Sequence, residues 1–154
     1  MNVRTAAIAD LESFILDGIP LARAMNLSIE SFDGDRLIMT APLGPNINDK
    51  GCAFGGSLAS VMTLACWALV EMALRRRGDD CDVFVGESTV RYLAPVWEDL
   101  RAEASLAVGA SWDAFFAMLD ARGKARAAFR CFIPGEAKPR ASLDAVFVAK
   151  RRKA

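Results

Sequence analysis

The chain has 154 residues, 53% hydrophobic and 25% charged, enough for one domain that buries most of its apolar surface. Nineteen basic residues balance nineteen acidic ones, so there is no basic excess of the kind a nucleic-acid binder needs. There is no histidine, which excludes every mechanism that needs an imidazole.

Met1 to Asp10 lacks the apolar stretch of a signal peptide. Ile8, Leu11, Phe14 and Ile15 fall near helical spacing and predict a helix over residues 5–17, stopped at Asp17-Gly18. Ile19-Pro20-Leu21 opens a short second turn or helix ending near Met25. Leu27–Phe32 and Arg36–Ala41 read as strands around Asp33-Gly34-Asp35, a good hairpin turn.

Then comes Asn46-Ile47-Asn48-Asp49-Lys50-Gly51-Cys52-Ala53-Phe54-Gly55-Gly56-Ser57. It leads into a helix predicted over about residues 55–77, closed by Arg75-Arg76-Arg77-Gly78. The apolar run Leu58–Val70 is about 13 residues, short for a bilayer, so a buried core helix is expected and no membrane partner. A polar, Gly-rich loop feeding a buried helix offers free N–H groups at the positive end of a helix dipole. That is a place for an oxyanion.

Asp82–Leu93 reads as a long strand ending at Ala94-Pro95. Leu100–Gly109 alternates apolar and polar residues, a strand with one buried face. Ser111 can cap a short helix from Trp112 to about Ala121. Lys124–Ile133 and Ser142–Lys150 are the last strands, and residues 150–154 form a basic tail expected in solvent. Helices segregated from an antiparallel sheet make the class α+β, in one domain over residues 1–154. A helix apolar nearly all round must be wrapped by the sheet, or by the sheet and a second subunit. The long strand Asp82–Leu93 is expected to pair with its own copy in a homodimer, with a dimer of dimers as a further option. Cys52, Cys66, Cys81 and Cys131 lie far apart, so neither a zinc site nor a disulfide framework is expected, and a reducing cytosol is the expected compartment.

The loop and helix, together with Ser88-Thr89-Val90-Arg91-Tyr92-Leu93-Ala94-Pro95-Val96, resemble the hotdog-fold acyl-thioester hydrolases. That signature has an Asn, a Gly, then His-Gly-Gly entering the central helix, and later a strand ending in Tyr/Phe-Leu-x-Pro. Here stand Asn48, Gly51, Phe54-Gly55-Gly56 and Tyr92-Leu93-Ala94-Pro95. Phe54-Gly55-Gly56-Ser57-Leu58, the inserted helix Trp112–Ala121 and Gly123-Lys124-Ala125-Arg126 are most similar to the thioesterase domain at the C-terminus of YiiD-type acetyltransferases. The resemblance covers about residues 10–150 and implies a hotdog fold: a long central helix wrapped by a curved antiparallel sheet, in a dimer. It implies hydrolysis of an acyl thioester such as acyl-CoA, with coenzyme A only as part of the substrate and no separate cofactor.

In that signature a carboxylate follows the motif's His by about nine residues. The same count from Phe54 ends on Thr63, and the helix carries no Asp or Glu before Glu71. The candidates are therefore Gly55 as oxyanion donor, Asn48 and Thr63 to position water, and Asp49 as the nearest acid, with Glu87 as an acid from a partner chain. Asn46, Phe54, Gly56, Ser57 and Tyr92 are candidates for holding the substrate. Cys52 lacks a histidine to activate it as a nucleophile. Arg91, Arg101, Arg122, Lys124 and Arg126 are alternatives for coenzyme A phosphates. A binding module that holds an acyl-CoA or acyl carrier without turnover is the other reading. A hotdog dehydratase, which uses a His with an acid, is remote.

Overall fold

The computed structural model describes residues 3–153. Helix α1, Val3–Gly18, starts before the expected boundary and runs through Gly18. Helix α2, Pro20–Met25, opens with Pro in its first turn, where a missing N–H is harmless, and ends at Asn26 with φ +58°. Strands β1, Ser28–Phe32, and β2, Arg36–Ala41, form the hairpin. Its turn is tied by Asp33 Oδ1, which accepts from the Asp35 and Arg36 N–H groups at 3.0 and 2.7 Å. Helix α3, Gly55–Arg77, is followed by β3, Cys81–Tyr92, and β4, Leu100–Leu106. Helix α4, Trp112–Arg122, has the Ser111 hydroxyl accepting from the Ala114 N–H at 3.1 Å, the predicted cap. Strands β5, Lys124–Ile133, and β6, Ala141–Arg151, complete the chain.

The six strands form one antiparallel sheet in the order β1-β2-β4-β5-β6-β3. It is the α+β hotdog arrangement, with α3 packed along the sheet. Strand β3 is an edge, paired on one side only with β6, from Cys81 opposite Arg151 to Tyr92 opposite Ala141. A bulge falls between Val85 and Glu87, where Gly86 is the extra residue.

By length and composition α3 is long and apolar enough to cross a bilayer, with 23 residues and a mean hydropathy of 1.7 over its most apolar 18. Packing decides otherwise. Val61, Met62, Cys66 and Leu69 are fully buried. Burying one such Leu or Met stabilises by about 1.5–3 kcal/mol relative to exposure. The sheet does not wrap α3 completely. Gly56, Ser60, Thr63 and Leu64 recur at helical spacing and remain half-buried, a stripe that the described elements leave partly open, while Trp67 beyond it stacks on Phe14 and donates its Nε1–H to Val83 O at 3.2 Å.

Arg151 and Arg152 are not part of a free tail. Arg151 sits 3.2 Å from Asp79 and 2.9 Å from Asp120, and Arg152 2.7 Å from Asp80 and 2.8 Å from Asp82. The basic run closes β6 and clamps the turn after α3, because four carboxylates gather there.

Glu71 is buried on α3, with Arg75 Nε at 3.4 Å. Burial pushes its carboxyl above the usual glutamate range, against the opposing pull of Arg75. Between the ordinary value and the raised one, the folded chain binds more protons than the unfolded chain. Stability therefore falls as pH rises through that window. Glu71→Gln is expected to raise the melting temperature at neutral pH and to change it little below about pH 4. A lower melting temperature at neutral pH would show that the Arg75 pair outweighs burial.

Candidate active site

The loop before α3 is held by its own backbone. The Asn48 N–H donates to Cys52 O at 2.8 Å, and the Gly51 N–H to Asn48 O at 3.2 Å. Gly51 has φ +88°, a conformation that favours glycine. The Phe54 N–H donates to Asn46 O at 2.7 Å, and the Ala53 N–H to Val96 O at 2.8 Å. This last bond pins the loop to the segment after β3. That segment is fixed in turn by Arg140, whose carbonyl accepts from the Leu93 and Ala94 N–H groups.

Between loop and segment lies a cavity of about 430 Å³, lined by Asn48, Lys50, Cys52, Ala53, Gly55, Leu58 and Tyr92 to Val96. At its base α3 begins with an unusual cap. Phe54 is the N-cap residue, and it has no side-chain oxygen to accept a hydrogen bond. Among the described residues the Gly55, Gly56 and Ser57 N–H groups have no acceptor, and the first α3 bond is Leu58 N–H to Phe54 O at 3.0 Å. An uncapped helix start presents its donors and its positive dipole end to whatever fills the space beside it. The Tyr92 ring stands over Gly55, so close that a Cβ there would meet Cε1 at 3.4 Å.

Asn48, Gly55 and Tyr92 thus meet at one cavity. The Asn48 side chain is fixed on both sides: Oδ1 accepts from the Lys50 N–H at 2.8 Å, and Nδ2 donates to Cys52 Sγ at 3.3 Å. The other sequence candidates lie elsewhere. Asp49 is exposed and ion-paired to Lys50 Nζ at 3.0 Å. That ammonium holds its carboxyl below the usual aspartate range, which makes it a weaker base. The Thr63 hydroxyl donates to Ala59 O at 2.7 Å, two turns along α3 from Gly55. Asn46 is 2% exposed, and its Nδ2 donates to Met25 O and Pro42 O at 3.0 and 2.8 Å. It ties α2 to the loop and does not reach the cavity. Phe54 is exposed, and its ring covers Gly56, where a Cβ would lie 2.4 Å from Cε2. The second glycine is thereby explained by Phe54 packing. Ser57 follows in the first turn, outside the cavity lining. Glu87 lies on the exposed β3 edge, beside a separate depression with Thr89, Asp144 and Val146.

Sequence reasoning missed Lys50 as a lining residue and passed over Cys52 for want of a histidine. Their proximity to Asn48 in the loop was the available signal. Among the described residues no carboxylate lines the cavity.

Comparison with known proteins agrees with the fold. A protein of unknown function from Chlorobaculum tepidum TLS is 34% identical, with 97% of each chain covered and a TM-score of 0.89. A putative thioesterase from Shewanella oneidensis is 26% identical over 95% of this chain and 99% of that one, with a TM-score of 0.84. A thioesterase from Haemophilus influenzae shares the fold at 13% identity, over 94% of this chain and 90% of that one, with a TM-score of 0.70. The family model described as "Putative thioesterase (yiiD_Cterm)" matches residues 8–151, nearly the whole chain, and the protein belongs to that family.

Proposed function

We propose that the chain hydrolyses an acyl thioester, with acyl-CoA as substrate, at a site that two copies complete in the cytosol. One observation carries this reading: the uncapped start of α3, with its unpaired N–H groups at the cavity beside Tyr92. The Gly55 N–H donates to the thioester carbonyl oxygen. Water attacks the carbonyl carbon, negative charge moves to that oxygen, and the helix end stabilises it. Collapse breaks the C–S bond, the thiolate leaves and takes a proton, and a carboxylic acid remains. Asn48 orients the water.

The two-fold contact is supported by the edge strand. Phe84, Val85, Tyr92 and Leu93 are all exposed on or beside β3, and the half-buried stripe of α3 lies partly open as well. A long apolar edge is a surface that proteins cover. The binding-module reading has one observation of its own, the lack of a lining carboxylate.

The test combines sedimentation with thiol release from a panel of acyl-CoA esters. Wild type is expected to sediment as a dimer at micromolar concentration and to release thiol. Phe84→Lys/Val85→Lys is expected to become monomeric, keep its helical signal and lose turnover. A wild-type monomer that turns over normally would reject the shared site. Tight acyl-CoA binding with no thiol released would favour the binding module.

A further inference from the structure

An oxyanion accepts more than one hydrogen bond, so the Gly55 N–H leaves room for a second donor. Of the side chains that line the cavity, Asn48, Lys50, Cys52 and Tyr92 carry a polar hydrogen. The first three are occupied. Asn48 Oδ1 and Nδ2 meet the Lys50 N–H and Cys52 Sγ. Lys50 Nζ lies 3.0 and 3.2 Å from the two Asp49 carboxylate oxygens. Cys52 is buried, and its thiol donates back to Asn48 Oδ1 at 3.6 Å. None of the basic candidates Arg91, Arg101, Arg122, Lys124 and Arg126 lines the cavity. Among the described residues the Tyr92 hydroxyl has no hydrogen-bond partner.

Tyr92 is the chain's single tyrosine and the last residue of β3. It stands opposite Ala141, which is fully buried, so both side chains turn to the α3 face of the sheet. The ring meets Gly55 with its hydroxyl-bearing end. Cε1 and Cζ come to 3.4 and 3.7 Å of the position a Cβ would take, nearer than Cδ1 at 3.9 Å. A Cα–Cβ bond on a helix leans toward the N-terminus. The phenol therefore sits on the side to which the free N–H groups of α3 point, with its hydroxyl one bond beyond Cζ.

The backbone beside the ring is held on both sides. Arg140 O accepts from the Leu93 and Ala94 N–H groups at 2.8 and 2.9 Å, and the Arg140 guanidinium donates to Pro95 O at 3.1 Å. The ring itself stays 57% exposed. Burial gives it little reason to be there, and a phenylalanine would cover Gly55 equally well. The hydroxyl is the part that packing does not explain.

We infer that the Tyr92 hydroxyl is a second oxyanion donor, a catalytic residue that meets the thioester carbonyl oxygen together with the Gly55 N–H. The inference rests on the thioester reading and adds a residue to that site. As water attacks the carbonyl carbon, the π pair of the C=O bond moves onto oxygen, and both donors bind that charge. As the pair returns, the C–S bond breaks and sulfur leaves with its electrons. The phenol keeps its proton throughout, so its part in the step needs no further acid or base. Its hydrogen bond strengthens as charge develops, so its contribution falls on kcat more than on KM.

The test compares Tyr92→Phe, which removes only the oxygen, with Tyr92→Leu, which also removes the ring. Tyr92→Phe is expected to lower kcat for acyl-CoA at least about tenfold with KM little changed, and to keep the wild-type melting temperature. Tyr92→Leu should lose no less. The second readout is the infrared carbonyl stretch of a bound ketone analogue of acyl-CoA in which CH2 replaces sulfur, so that no thiolate can leave. Wild type should move the stretch to lower frequency than water does, and Tyr92→Phe should lose part of that shift. Unchanged kcat and an unchanged stretch in Tyr92→Phe overturn the inference while acyl-CoA hydrolysis stands. A loss seen only in Tyr92→Leu overturns it as well, since the ring then acts by packing. So does a raised KM with kcat intact, which assigns the hydroxyl to substrate binding alone. If wild type turns over no thioester, the proposed hydrolysis fails and the infrared measurement decides. A downshift reduced in Tyr92→Phe supports the hydroxyl as a donor to the carbonyl, and a wild type without a downshift rejects it.

Discussion

Gly55→Pro is expected to lower kcat by about 10²–10³-fold while leaving the fold intact. The two effects separate because Gly55 is the first residue of α3. Proline is favoured at that position, where its fixed φ suits the helix and no helix bond uses the N–H. It also needs an extended residue before it, and Phe54 already has φ −65° and ψ 133°. The substitution therefore deletes one donor with little strain. Its ring does add atoms toward Tyr92, where even a Cβ sits at 3.4 Å. Gly55→Ala controls for that crowding, because alanine adds the Cβ and keeps the N–H. Thiol release should fall steeply in the proline variant and by less than about tenfold in the alanine variant, with helical content and melting temperature close to wild type in both. Equal turnover in the two variants would remove the Gly55 N–H from the mechanism.

The fold was legible because its signals are local and agree with one another. The 3.6 period, Ser111 and the Arg75-Arg76-Arg77-Gly78 end placed α3 and α4, and the Asp33-Gly34-Asp35 turn placed the first hairpin. The strand order was not legible. It depends on which edges meet across long separations, and β3 lies outermost although it follows α3 directly. The role of Arg151 and Arg152 was missed for the same reason. Their partners Asp79, Asp80, Asp82 and Asp120 lie about 30–70 residues away along the chain, and a basic run read alone looks solvated.

Around the cavity the outcome divides by residue. Gly55 could be singled out because a helix start has unsatisfied donors whatever its surroundings. Asn46 and Asn48 look equivalent in sequence, yet one is buried against Met25 O and Pro42 O and the other lines the cavity. That difference arises from packing of the loop against α2, which no local pattern encodes. Asp49 drew attention by proximity alone, and its neighbour Lys50 neutralises it.

Thr63→Glu is expected to raise turnover by about 10²–10⁴-fold over a slow wild type, the usual contribution of a well-placed general base. The wild type should be slow because no carboxylate lines the cavity among the described residues, and the nearest acid is exposed and paired. Thr63 cannot serve its own cavity. Eight residues of α3 separate it from Gly55, a rise of about 12 Å. It lies instead on the half-buried stripe that the described elements leave partly open, so a glutamate there would act on the thioester held by the other copy. Water would lose a proton to that carboxylate as it attacks the carbonyl carbon. Partial burial at the interface disfavours the charged form and raises the carboxyl pKa. The base works only when deprotonated, so the gain should grow as pH rises through that raised value and then level off. The substitution also removes the hydroxyl bond to Ala59 O, a helix-bending contact whose loss costs little. Thiol release from short and medium acyl-CoA between about pH 6 and 9 would measure the profile, with Asp49→Asn beside it. A folded, dimeric Thr63→Glu no faster than wild type at any pH would show that position 63 does not face the partner's Gly55. A large loss in Asp49→Asn would return the base to the loop despite its pairing with Lys50.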